Sequence, residues 1–221
     1  MTERSNKKKY PLVCRGPGAG GAAGRLRPGR KAPQRPQRSP RQSRQKHPPQ
    51  RRNPKRTPLT GEQGDYTNQR PVAVSIRTGD GSTPQWGIAA ADVLIEGVTE
   101  GKTAGLTAVF ASVDSVEKAG PVAPGRDLPL QLVLPLNAVP VHINKSVYAS
   151  NLLNVLQYQD LDGYHAGTAG FAFDEDRANS GYREENCWYT TKDLINTGLA
   201  TYNTDTAGVN MPLFHFVQRK D

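Results

Sequence analysis

Acidic residues are almost missing from the first quarter of the chain. Among residues 1–57 the single acid is Glu3, against 18 of the chain's 29 Lys and Arg, so this segment carries a charge of +17. Branched apolar and aromatic side chains are scarce there too, with Tyr10 the one aromatic. A segment of that makeup cannot bury enough apolar surface to offset its ordering entropy, and a disordered basic tail is expected over 1–57. Cysteine is nearly absent from the whole chain. Cys14 and Cys187 lie one on each side of the composition change, which excludes a disulfide framework and a paired-cysteine metal site. No stretch approaches the roughly 18 apolar residues of a membrane-spanning helix. The opening "MTERSNKKKYPLVC" begins as a secretory leader does, with Lys7 to Lys9 ahead of an apolar run. That run stops at Cys14, short of the about 7–15 apolar residues a leader needs.

The tail, densest in charge from Arg30 to Arg56, admits three readings. From about Lys9 to Arg56 it is a shifted reading frame of a GC-rich gene, a native basic linker, or an arm for nucleic acid. Any such polycation binds polyanions in a salt-dependent way. With one aromatic it lacks the stacking platforms that single strands require, so nucleic acid is not the expected partner.

From Pro58 the text changes character. The remaining 164 residues hold 11 basic and 19 acidic side chains, a charge of −8, and enough apolar residues for one core. "RPVAVSI" (70–76) reads as a strand, and "GDGSTPQWG" as a loop. A helical turn over Ile88–Ala91 leads to a strand from Val93 to Val98. A Gly-rich turn then gives a strand over Leu106–Val113, paired antiparallel with its predecessor. Asp127 is the expected N-cap of a helix that holds Pro129 in its first turn and stops before Pro135. "AVPVHI" (138–143) is a strand. Ser146 caps a helix over Val147–Gln157 whose Tyr148, Leu152, Leu153 and Leu156 form the expected buried face. "LDGYH" is strand-like, Phe171–Glu185 reads as an irregular acidic loop, and a short helix follows over Lys192–Leu199. Helix and strand alternate after Asp127, so the expected class is α/β, a mixed sheet packed by helices over residues 58–221.

Several phrases in order carry a family likeness: "TPLTGE" (57–62), "RPVAVSI", "PQWGIAAADVLIEGVTEG" (84–101), "AGPVAPGR" (119–126), "VHINKS" through "DLDGYH", and "ENCWYTTKDL" (185–194). Over nearly all of residues 57–216 the chain resembles the YerB-like lipoproteins, a bacterial family without an established biochemical function. The resemblance implies an extracytoplasmic domain held at the membrane by a lipid anchor, with a leader and a second, C-terminal domain that the sequence as written does not carry. It also marks departures. Gly105 and Ala123 stand where the family pattern has arginine, Glu185 where it has histidine, and Asn144–Lys145 where it has a glycine pair. Arg126 and Asn186 keep the pattern.

The candidate ligand residues are Arg126 and Asp127 with Asp92, then His142, Asn144 and Lys145 after the strand, and Asn186. Arg126 closes a Gly/Pro loop before a helix start, where amides and a guanidinium can hold a phosphate or carboxylate. A local salt bridge with Asp127 or Asp92 is the plain alternative. His142 ends a strand and can line a cleft with Asn144, Lys145 and Ser146, or be a hydrogen-bonded edge histidine. Asp174, Asp176 and Glu185 fall at calcium-loop offsets 1, 3 and 12. Ala178 and Asn179 stand where that loop needs an Asp or Asn and a Gly, so a solvated acidic loop is expected. Trp188 and Tyr189 read as core or rim residues and Cys187 as a small buried hydrophobe. There is no nucleophile elbow, Walker motif or Ser–His–Asp pattern. No metal or cofactor is expected, and no catalytic residue is assigned.

Two functions therefore compete. One is a non-catalytic envelope domain binding an unidentified ligand or protein partner. The other rests on a weaker likeness to the LytR-CpsA-Psr phosphotransferases, which attach polyprenyl-linked glycopolymers to the cell wall. That chemistry needs arginines and a metal-binding carboxylate against a pyrophosphate, for which Arg126 with Asp92 or Asp127 would have to serve.

Overall fold

The computed structural model describes residues 56–57, 59–64, 66, 68–99, 103–164, 169–208 and 211–216. The tail up to Lys55, with its three readings, lies outside the described residues. The body is α/β, as its alternating pattern requires. Five strands form a mixed sheet in the order β2-β3-β1-β4-β5. They are β1 (Val72–Ile76), β2 (Val93–Val98), β3 (Ala104–Phe110), β4 (Val139–His142) and β5 (Leu161–Asp162). β2 and β3 pair antiparallel as a hairpin, and β3 continues antiparallel onto β1. β4 and then β5 add parallel to β1. β1, β4 and β5 therefore end on the same edge of the sheet.

The two faces of the sheet follow from strand alternation. Val72, Val74 and Ile76 point to one side with Phe110, Val139, Val141 and Leu161. There they meet Ile195 and Leu199 of α4 (Lys192–Thr201). Ala73, Val109 and Ala111 point to the other, against Leu130 and Val133 of α1 (Asp127–Val133) and Ala149 and Leu153 of α2 (Val147–Leu156). The result is three layers with a helix-covered sheet in the middle.

Local signals set the element ends. The Ser146 hydroxyl accepts from the Ala149 amide at 3.1 Å and starts α2, and Thr191 does the same for α4 through the Leu194 amide. Gln157 closes α2 in the left-handed region. The N-cap of α1 is Arg126 rather than Asp127; Asp127 is the first helical residue, where its charge still favours the helix N-terminus. The helix stops at Val133, and a single 3₁₀ turn, Leu134–Leu136, takes up Pro135.

Three further expectations are corrected. β3 ends at Phe110, because Ser112 caps a 3₁₀ turn over Val113–Ser115. The buried side of α2 is Ala149 and Leu153, while Tyr148 and Leu156 are exposed. The segment expected as an irregular acidic loop holds β6 (Ala172–Phe173) and α3 (Glu175–Asn179), and β6 pairs antiparallel with β7 (Trp188–Tyr189).

Candidate functional site

Chemistry gathers where β1, β4 and β5 end, the edge at which open α/β sheets place ligands. Arg77 follows β1 directly. Around it lies a groove of about 390 Å³ lined by Thr78, Asp80, Arg126, Arg183 and Asn186 among others. A second hollow of about 400 Å³, with Val122, Ile143 and Trp188 in its wall, shares Arg77, Arg183 and Glu185 with the first. The two hollows adjoin through these shared residues; the first adds Arg126, Asp80 and Asn186, the second an apolar and aromatic wall.

Each wall has its own support. The Thr78 hydroxyl donates to the Ala104 carbonyl and ties the exit of β1 to the β2–β3 hairpin. The loop after β1 is clamped from outside by Arg177, which is buried and donates to the carbonyls of Ser82 at 2.7 Å and Pro84 at 2.8 Å. The Arg177 guanidinium lies 4.4 Å from the Trp86 ring centre and 4.3 Å from that of Tyr182. Lys118 completes the stack between Trp86 and Tyr189, at 3.9 and 4.2 Å. Arg126 enters the groove from the start of α1, whose first turn follows a chain segment bonded through Ala123 to Ser75 of β1 and to Ile143, just past β4.

The electrostatics of the groove centre on Arg77. Its Nε is buried and has no hydrogen-bond partner among the described residues. Burial lowers its pKa from the ordinary arginine value, Glu185 opposes that, and the nearby Arg126 adds to it. The Glu185 carboxylate stands 3.9 Å from the guanidinium and is half exposed, so it offsets little of the charge. Two guanidiniums held near each other around a hollow fit a bound anion.

Behind the groove floor lies a second cluster. Gly125 packs against the His142 ring, and a Cβ there would come within 2.8 Å of Nδ1. His142 is fully buried on an interior strand, not at a sheet edge, and its Nε2 lies 2.9 Å from Asp160 Oδ2. That contact is close but not aligned, and neither ring nitrogen has a hydrogen-bond partner among the described residues. The Lys145 ammonium sits 2.6 Å from Asp160 Oδ2 and 3.3 Å from Asp162 Oδ2. Burial pushes the Asp160 carboxyl upward, but His142 and Lys145 together outweigh it and hold its pKa below the usual carboxylate value.

The candidates of the sequence thus separate. Arg126 and Asn186 share the groove, and so do the departure positions Gly105, Ala123 and Glu185. His142 and Lys145 share the buried cluster. Asn144 is the corner between them: it adopts a left-handed φ of 67°, donates its amide to Asp162 Oδ1 and accepts the Gly125 amide. Asp127 lies in the first turn of α1 and is not among the groove's lining residues. Asp92 is misplaced as a ligand of that groove. Its carboxylate accepts the Ala111 amide at 2.7 Å, where β3 ends. That is the opposite edge of the sheet, about 15 Å along a five-residue strand. Asp174, at the first of the calcium-loop offsets, has two structural partners: its Oδ1 accepts the Arg177 amide as the cap of α3, and its Oδ2 pairs with Lys118 at 2.7 Å.

With Arg126 and Asn186 in one groove at the strand ends, the likeness read from the sequence can be tested against known proteins. Residues 59–205 match the family described as "Protein of unknown function (DUF3048) N-terminal domain". The chain belongs to this family. Among curated proteins it is similar to the "Putative lipoprotein YerB" of Bacillus subtilis, 34% identical over 89 residues, which are 39% of this chain and 27% of that protein. Among solved structures it is similar to the crystal structure of the YerB protein of Bacillus subtilis, with a TM-score of 0.64 at 25% identity, covering 72% of this chain and 53% of that one. The chain thus spans about half of the solved relative and about a quarter of the curated one. Among the described residues no helix is long and apolar enough to cross a membrane.

Arg77 and Arg183 were not singled out from the sequence. Each is a lone basic residue with no motif around it, and only the fold brings them to Arg126. Asp160 and Asp162 did leave a trace, as alternate residues of "DLDG".

Proposed function

We propose that this domain of the DUF3048 family binds an anionic ligand in the Arg77–Arg126–Arg183 groove and acts outside the cytoplasm as part of a membrane-anchored protein, without catalysing a reaction. The observation that carries this is the convergence of three arginines and Asn186 on one hollow at the ends of the parallel strands. Its size is in the range of small-molecule sites, about 300–1,000 Å³. The apolar stretch at Val122, Ile143 and Trp188 favours a ligand with a charged head and an apolar or aromatic body. The extracytoplasmic location rests on the lipoprotein name carried by the YerB relative. Another cavity, of about 250 Å³, lies near Asn68, Val113 and Leu199. It offers no comparable charge: Arg70 there is bound to the carbonyls of Asn137 and Asp205.

The phosphotransferase reading keeps one supporting observation. Asp80 lines the same groove as the arginines, a carboxylate where Asp92 could not serve. Thermal unfolding with pyrophosphate, phosphate and citrate, each with and without Mg²⁺, separates the two. Binding of an anion to the native state raises the Tm as the ligand concentration passes its Kd. We expect a Mg²⁺-independent rise that Arg77→Gln and Arg126→Ala each weaken by about 1.5–3 kcal/mol of binding free energy, as for a hydrogen bond to a charged group. A rise that requires Mg²⁺ and fails in Asp80→Asn would favour the enzyme. An unchanged shift in both arginine variants would remove the groove as the site.

A further inference from the structure

The cluster behind the groove is built in a way that a hydrogen-bonded core does not require. His142 Nε2, Asp160 and Asp162 offer one ligand atom each within 4.8 Å of one another. Tetrahedral ligands at about 2.1 Å from a zinc ion stand about 3.4 Å apart, so small side-chain adjustments suffice to close the set. The imidazole is fully buried, faces the Asp160 carboxylate, and has no aligned hydrogen-bond partner among the described residues. Asp162 is oriented for the task. Its Oδ1 accepts the amides of Asn144 at 2.8 Å and Tyr164 at 3.0 Å, which leaves Oδ2 facing the cluster. Outer hydrogen bonds of this kind are what position metal-binding carboxylates. One histidine nitrogen with two carboxylates suits divalent ions of the first transition row.

The place of the cation is contested by the Lys145 ammonium, which touches both carboxylates. Its side chain is about 15% exposed, so it can turn outward to solvent. We propose that His142, Asp160 and Asp162 form a binding site for a divalent transition ion such as Zn²⁺, for which Lys145 is a built-in competitor. Metal binds when the lysine swings away, and the lysine balances the two carboxylates when metal is scarce.

The test is titration of the full, tag-free chain with Co²⁺ as a spectroscopic stand-in for Zn²⁺, followed by Zn²⁺ displacement. The wild type is expected to bind one Co²⁺ saturably, with visible bands that Zn²⁺ removes. Lys145→Met should bind at least tenfold more tightly, and adding His142→Ala or Asp162→Asn to it should abolish the bands. Asp162→Asn keeps an oxygen for the two backbone amides, so it guards against loss by unfolding. If Lys145→Met fails to fold alone, its recovery of native circular dichroism on adding Zn²⁺ supports the site, and no recovery overturns it. Equal affinity in wild type and Lys145→Met, or bands that survive His142→Ala, overturn the proposal. Binding confined to Lys145→Met overturns it as well, since the lysine would then be a permanent ion rather than a competitor.

Discussion

Asp174 shows how one carboxylate can do two structural tasks. Its Oδ1 caps α3 and its Oδ2 pairs with Lys118, and these partners, the Lys118 hydrogen bond first, lower its pKa from the ordinary value. A depressed native pKa adds stability that is complete above the unfolded value of about 3.9 and fades as pH falls through the native one. Asp174→Asn keeps a capping oxygen and loses the charge. In urea titrations it should be less stable than wild type at pH 7, and the gap should close below about pH 4. Asn144 makes a different demand. Its left-handed backbone suits Asn and Gly, and its Oδ1 accepts the Lys145 amide at 2.7 Å, so Asn144→Gly should cost only that bond, about 0.5–1.5 kcal/mol, whereas Asn144→Val should lose it and add about 1–2 kcal/mol of backbone strain in chemical denaturation. Cys187 is fully buried, and burial raises its thiol pKa. Iodoacetamide at pH 8 followed by peptide mapping should leave it unmodified in the native protein and alkylated in urea.

At the scale of the elements, α2 ties the buried cluster to the core. Its N-cap, Ser146, directly follows Lys145, and the helix buries Ala149 and Leu153. Ser146→Ala should cost about 1 kcal/mol, the usual loss for a helix cap. Leu153→Ala should cost about 2–5 kcal/mol, because it opens a cavity against α1. Both are read from chemical denaturation. The same helix shows where the sequence was legible and where it was not. Ser146 announced the start, because a capping hydroxyl is a local signal. The buried face was misassigned because four large apolar residues outweighed Ala149, and only packing against Leu130 and Val133 shows that a small residue belongs at the contact. α3 and β6 escaped for a related reason. They are too short for periodicity to register, and their acidic text matches a loop. The strands of the central sheet were legible because their apolar, β-branched runs are long enough to register: "VAVSI" is almost wholly buried, and "VLIEGV" was read from its residue types although none of its side chains is fully buried.

For the whole molecule, the order β2-β3-β1-β4-β5 places the most protected strands in the middle and the hairpin at one edge. Amide exchange should be slowest in β1 and β3, which bond on both sides, and faster in β2, whose outer side is unpaired within the sheet. The order also explains why Arg126 was visible from the sequence as an anion residue while its companions were not. Arg77, Arg126 and Arg183 come from three distant parts of the text, and only the fold brings the end of β1, the start of α1 and the segment before Glu184 together around one hollow. Asp92 was misjudged for the converse reason. It is close to the strand sequences in order, but β2 runs antiparallel to β3, and its start lies at the far edge.

The stack of Tyr182, Arg177, Trp86, Lys118 and Tyr189 does more than hold a loop in place. The chain has two tryptophans. One is Trp86, which touches both Arg177, the clamp of the loop after β1, and Lys118; the other is Trp188, in the wall of the second hollow. Every chromophore that emits at long wavelength is thus placed at or next to the site. The protein carries its own optical gauge, and a ligand entering the groove should change its emission without any label being attached.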